Sequence, residues 1–259
     1  MIETYRSLKK LMGQSTEARL SYLDEETRRL GVIPQSYELE STHGRDRHLV
    51  VPFDYGRSHD LWLTANYDTF DTLPSANNNG SGVVTLLKLG EHLRRVQLPV
   101  NIRLVYFDAG LDPDLVTKKR RNPDFVPGSR LFVQHLITNE TEFIDTYDGA
   151  ITLQAVGKGN LCVFQTTGKR IENAAELNKI IVDHGRSIGV PVETREHSPN
   201  ADNMAFLEEG LGAAVLARYH EGSWHKMQTK DDDLTNVNSR AIDETVMFLR
   251  TLIGSYPIK

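Results

Sequence analysis

The stretch LWLTANYDTFDTLPSANNNGSGVVTLLKLGEHL, residues 61–93, constrains the architecture more than any other. It begins as a nearly unbroken apolar run, the pattern of a strand covered on both faces. The run ends in the polar residues Asn66 and Asp68 and passes into a loop with three consecutive asparagines, Asn77, Asn78 and Asn79. From Ser81 the period changes: Val83, Leu86, Leu87, Gly90 and Leu93 recur at spacings of three and four, one face of a helix. NIRLVYFD, from Asn101, then returns to strand, so the order predicts a parallel pair joined by a crossover helix.

The rest of the chain extends this unit. QSYELES and HLVVPFD, joined by the turn-forming THGRDR, read as strands, as do GAITLQAV, LCVFQTT and GAAVLAR. Residues 174–188 and 239–253 read as long helices with apolar faces. Residues 1–31 read as an N-terminal cap of two amphipathic helices, 2–12 and 16–30, broken at Gly13 and stopped by Gly31. The whole of 1–259 is expected to form one domain, a three-layer α/β/α sandwich on a mostly parallel mixed sheet. With 39% hydrophobic and 25% charged residues in 259, one large core is affordable.

Several classes are disfavoured. A formal net charge of -5 gives no reason to expect nucleic acid or an anionic membrane as partner. No window approaches the ~20 apolar residues of a membrane-spanning helix, and the N-terminus lacks the apolar core of a signal peptide. The single cysteine, Cys162, lies in a strand-like run and reads as a buried small apolar residue; it excludes an intrachain disulfide and fits a reducing cytoplasm. No Gly-x-Ser-x-Gly elbow or reactive-cysteine setting supports a covalent nucleophile.

In a parallel sheet, ligands bind beyond the carboxyl ends of the strands. Those ends carry Asn66 and Asp68, Asp108, Gln154 and the segment 218–225. This order of motifs resembles the zinc-dependent aminopeptidase family that also contains glutaminyl cyclases and the peptidase-like domain of nicastrin, from about Leu61 to the C-terminus. In that family a strand ends in His-x-Asp and is followed by a loop like Gly-Ala-Asn-Asp-Asn-Ala-Ser-Gly. Here stand Asn66-Tyr67-Asp68 and Ser75-Ala76-Asn77-Asn78-Asn79-Gly80-Ser81-Gly82. The family's Glu-Glu pair, later Asp, Ser-Asp-x-x-x-Phe segment and late His are met by YFDAGLDPD, ITLQAVG, NADNMAFLEEGLGAAVL and SWHKMQTKDDDLTNV. Gly82, Gly128-Ser129-Arg130, Asp202 with Phe206, and Trp224-His225 keep the family pattern.

The resemblance implies that the first zinc-binding His falls on Asn66, the bridging Asp on Asn78, the Glu pair near Gly110 and Leu111, and the remaining Asp ligand on Gln154. Only His225 matches a ligand, while Asp68 and Asp202 match supporting residues. Two divalent cations ~3.5 to 4 Å apart need anionic ligands between them, and neutral amide oxygens bind zinc weakly. Losing the Glu also removes a general base, worth typically ~10²- to 10⁴-fold in rate.

The expectation is therefore a metal-free polar pocket of Asn66, Asp68, Asn78, Asp108, Gln154, Trp224 and His225, with the amides bonded to one another, to His225 or to a ligand. No cofactor is expected, and zinc only through an atypical site. Three functions follow: a binding or scaffolding protein for a peptide- or amino-acid-like ligand or a protein partner; an enzyme acting on an amide, peptide or acyl bond through His225, Asp68 or Asp202; or an exopeptidase with an atypical, single-metal site built from His225 and a displaced aspartate. Asp112 and Asp114, beside Pro113, read as a solvated loop, and Asp108 stays open. The basic run Lys118, Lys119, Arg120 and Arg121 reads as a solvated face, or as an attractor for an anionic ligand if it covers the pocket. His220, His197 and His184 have weaker claims, the last lying on the surface of its helix. Oligomeric state is left open.

Overall fold

The computed structural model describes residues 2–41, 44–69, 73–108, 127–165, 171–196 and 201–257, the side chains of 171–173 excepted. Eight strands among them form one sheet in the order β1-β2-β4-β3-β5-β8-β6-β7. They are β1 (Gln35–Ser41), β2 (Gly44–Phe53), β3 (Asp60–Asn66), β4 (Asn101–Phe107), β5 (Tyr147–Gln154), β6 (Asn160–Phe164), β7 (Glu193–Arg195) and β8 (Ala213–Tyr219). The central four, β4-β3-β5-β8, run parallel, with Asn66 opposite Phe107, Leu63 opposite Ile151 and Thr152 opposite Val215. β1, β2 and β6 pair antiparallel with their inner neighbours. The parallel register brings the carboxyl ends of four strands to one rim.

Every residue of β3 is buried, and alternate side chains serve opposite layers. Leu61, Leu63 and Ala65 join a core with Leu86 and Leu87 of α3 (Gly82–Leu93), Leu177 and Ile181 of α6 (Ile171–Ser187), and Ile242 and Leu249 of α9 (Ser239–Gly254). Trp62 points the other way, into a core with Phe132, Val133 and Leu136 of α4 (Gly128–Asn139), Phe143 of α5 (Phe143–Thr146) and Phe206 of α7 (Asn203–Glu208). Period two in the strands and period 3.6 in the helices thus yield three layers, each fully buried large side chain contributing ~1.5 to 3 kcal/mol.

The N-terminal helices, α1 (Thr4–Leu11) and α2 (Thr16–Arg29), belong to the first of these cores through Leu8, Leu11, Leu20 and Leu23. Ser15 caps α2 by accepting the Ala18 N–H at 3.3 Å, and Gly31, at φ +78°, ends it in the left-handed conformation that glycine adopts without strain.

Two local expectations change. The turn predicted over THGRDR is mostly strand: β2 starts at Gly44, and Arg45 crosses to Glu38 and Glu40 on β1, so opposite charges carry the hairpin past the turn residues. His184 is not simply on the surface. It is half-buried, its ring lies against Phe248, and its nitrogens meet Thr251 and Ser255, joining α6 to α9. Cys162 is fully buried, and burial pushes its thiol up to about 12. Among the described residues no helix is long and apolar enough to cross a membrane.

Candidate functional site

The chain leaves β3 at Asn66, and one further bond, Tyr67 N–H to the Phe107 carbonyl at 2.8 Å, carries Asp68 to the rim. Ser75, at φ +51°, then turns the chain into Ala76–Ser81, a wide turn in which Asn78 and Asn79 leave helical angles, joined by a cis peptide bond, before α3 begins. The turn spends its asparagines on structure. Asn77 Oδ1 accepts the Gly157 N–H at 2.8 Å and the Ser81 hydroxyl at 3.1 Å, while its Nδ2 donates to Ser223 Oγ at 3.0 Å. Asn79 Nδ2 donates to the Leu153 carbonyl at 2.8 Å and to Asn66 Oδ1 at 3.1 Å, and its Oδ1 accepts the Ala155 N–H at 3.2 Å. Gly82 leaves room for this: a Cβ there would stand 2.6 Å from Asn79 Oδ1.

Asp232 holds the turn from beneath. It is 0% exposed; Oδ1 accepts the Asn77 N–H at 3.1 Å and Asn236 Nδ2 at 2.8 Å, Oδ2 accepts the Asn78 N–H at 2.9 Å, and its carbonyl accepts the Ala76 N–H at 2.8 Å. Burial raises its carboxyl above the ordinary range, opposed by the donors from Asn236, Asn78 and Asn77.

The remaining amides close on each other. Asn66 Nδ2 donates to Asp68 Oδ1 at 3.0 Å, and Gln154 Nε2 donates to Asn78 Oδ1. Asn66, Asp68, Asn79 and Gln154 are all buried. Of the residues expected in the pocket, the fold therefore unites Asn66, Asp68, Asn78 and Gln154.

Asp108 lies toward β2. Its N–H donates to His48 Nδ1 at 3.2 Å and its Oδ2 accepts the Arg47 N–H at 3.1 Å. His48 is buried beside Phe107 and Phe132, and desolvation lowers it to about 3, so it is a neutral acceptor. Between the two aspartates, Tyr67 donates to the Arg47 carbonyl at 2.8 Å; burial first, then Asp108 and Asp68, raise its hydroxyl well above the usual range.

Asp202 precedes α7, buried and bonded to Ser129, with its carboxyl pushed up to about 6 by burial. No hydrogen bond among the described residues links it to the amides. Trp224 ends α8 (Glu221–Trp224) and turns away from them: its Nε1 donates to the Arg218 carbonyl at 2.8 Å and its ring lies 5.5 Å from those of Phe164 and Tyr219. His225 is exposed, and its ring makes no hydrogen bond with the described residues; its segment reaches the turn through Ser223 and Asp232 instead. His220 is exposed at the start of α8. Gly110, Leu111, Asp112, Asp114, Lys118, Lys119, Arg120, Arg121 and His197 lie outside the described residues.

Sequence reasoning passed over Asp232 and gave Asn77 and Asn79 no partners. Asp232 is the middle of three aspartates, a pattern that reads as solvated charge. The one local signal is Asp233, which caps the next turn by accepting the Thr235 N–H at 2.8 Å.

Among the described residues the donor set does not fit two zinc ions. The oxygens of Asn66 and Asn78 are taken by amide donors of this chain, Asp68 accepts from Asn66 and Asp232 is occupied by the turn, and among the described residues no three His, Cys, Asp or Glu side chains converge as a metal site.

The sequence model of peptidase family M28 matches residues 51–253. No curated protein matches the chain by sequence. Solved structures share the fold. A glutaminyl cyclase from Bacteroides thetaiotaomicron aligns with a TM-score of 0.78 at 15% identity, over 98% of this chain and 97% of that one. A Zn-dependent exopeptidase from Parabacteroides distasonis gives 0.76 at 19% identity over 97% and 95%. The LapA aminopeptidase of Legionella pneumophila gives 0.74 at 15% identity, over 96% of this chain and 70% of that one.

Proposed function

The chain belongs to peptidase family M28, and from that premise we propose that it is a binding protein, catalytically degenerate as a dinuclear peptidase, for a peptide- or amino-acid-like ligand or a protein partner. The observation that carries the reading is the bond from Gln154 Nε2 to Asn78 Oδ1. By the resemblance, the side chain that falls at the position of the bridging carboxylate is engaged by the one that falls at the position of another ligand. Amides at both places keep hydrogen-bonding capacity without charge, and a preformed amide surface complements peptide groups. A cytoplasmic setting accords with the single, buried thiol.

A second reading is a metal-free enzyme acting on an amide, peptide or acyl bond. It is favoured by Asp202, whose buried carboxyl, at about 6, exchanges a proton near neutral pH as a general acid or base must.

The deciding experiment is metal analysis of protein purified without added zinc, paired with turnover assays on amino-acid anilides and on a peptide with N-terminal glutamine. The binding reading expects substoichiometric zinc and no turnover of either substrate. Two tightly held zinc ions with turnover reject it. Metal-independent turnover abolished by Asp202→Asn selects the enzyme reading instead, and a single zinc lost in His225→Ala selects an atypical one-metal exopeptidase.

A further inference from the structure

The outer faces of α1 and α2 enclose an open groove of about 990 Å³, lined among others by Tyr5, Arg6, Lys9, Lys10, Ser21 and Tyr22. Its charge runs against that of the protein. The whole chain carries a formal net charge of -5, yet one wall presents Arg6, Lys9 and Lys10, all exposed and without an ion pair among the described residues. The two acids at the groove are Glu3 and Glu25, the latter sharing Arg29 with Glu26, so the lining sets three cations against two carboxylates. Two aromatic rings interleave with the cations: Tyr5 is 37% exposed, and Tyr22 is partly buried against the core.

We infer that this groove is a docking site for an acidic peptide segment of a partner protein. Concave shape, excess positive charge and amphipathic rings are what an extended chain of glutamate, aspartate and aromatic residues would meet. The alternatives fit less well. Insertion into an anionic bilayer needs exposed apolar side chains on the basic helix, and those of α1 are committed to the core, Leu8 at 0% and Leu11 at 1% exposure. A nucleic acid would also meet an acidic protein on either side of a single short helix.

The placement gives the groove a route to the amide cluster. Leu8 packs on Gly80 so closely that a Cβ there would stand 3.2 Å from its Cδ2. Arg19 of α2 donates to the Tyr67 carbonyl at 3.2 Å and the Pro74 carbonyl at 3.5 Å. The helices that bear the groove therefore back the segments carrying Asp68 and Asn77. The docking inference itself stands on the groove alone and survives or fails independently of what the amides bind.

The test is fluorescence anisotropy at low ionic strength with a labelled peptide rich in glutamate and tyrosine. Saturable one-to-one binding is expected, weakened about tenfold or more in Arg6→Ala/Lys9→Ala/Lys10→Ala and by raised salt. Ala18→Trp, which fills the groove without changing charge, should weaken it similarly. Removing three exposed cations elsewhere, Arg95→Ala/Lys179→Ala/Arg186→Ala, should leave affinity within about twofold. Circular dichroism confirms that each variant is folded. Absence of saturable binding, equal loss in the control variant, or tighter binding of phosphatidylserine vesicles or duplex DNA through the same three residues overturns the inference.

Discussion

Replacing Asp232 by alanine removes the one acceptor shared by three donors, two buried and one half-buried: the N–H of Asn77 and the amide of Asn236, at 3.1 and 2.8 Å, and the N–H of Asn78 at 2.9 Å. Each orphaned donor costs ~1 to 3 kcal/mol where water does not reach it. Against that, the fold no longer carries a buried charge, and burial is the largest influence on this carboxyl. The net expectation is a loss of about 2 to 4 kcal/mol, the orphaned donors outweighing the relief of the buried charge. For a chain of this size that lowers Tm by about 10 °C. Asp232→Asn, which keeps one acceptor oxygen but turns an NH2 toward a donor, should fall between wild type and alanine. Urea unfolding with an unchanged m-value measures the loss, and hydrogen exchange at Asn77 and Asn78 locates it. A loss below about 0.5 kcal/mol, within the range of ordinary surface substitutions, would refute the clamp.

Three further outcomes are expected. The Asp202 carboxyl, at about 6 in the fold against ~3.9 unfolded, disfavours its charge when folded, so its contribution makes stability rise as pH falls from 7 to 4; Asp202→Asn should remove that slope and stabilise the protein by up to ~3 kcal/mol at pH 8, read by thermal melts across pH. His48, at about 3 in the fold against ~6.5 unfolded, acts in the opposite sense: below pH 6.5 the unfolded chain takes the proton first and stability drops by ~1.4 kcal/mol per pH unit, a slope that His48→Gln, still able to accept the Asp108 N–H, should flatten in the same melts. Gly82→Ala should destabilise by about 1 to 3 kcal/mol despite alanine's better helix propensity, because the new methyl meets an Asn79 side chain pinned by Asn66 and Leu153; chemical denaturation measures it, and an unchanged midpoint would show that Asn79 can move.

What the sequence determined by itself is whatever depends on near neighbours. The nearly unbroken apolar run at residues 61–66 and spacings of three and four from Val83 to Leu93 prescribe a doubly covered strand and a helix, because which faces can be buried is a property of local pattern. The order of these elements then prescribes the parallel centre, and the polar strand ends mark the rim. The identity of Asn66, Asn78 and Gln154 likewise says what chemistry those positions can supply, since ligand strength and charge belong to the side chain. Partnership does not. That Gln154 donates to Asn78, that the middle aspartate of a charged triplet clamps a turn 154 residues earlier, and that Trp224 joins Phe164 and Tyr219 rather than the amides were decided only by tertiary packing. A hydrogen bond forms over about 3 Å, and a buried donor must find its acceptor in whatever segment the fold lays beside it; nothing along the chain states which segment that will be.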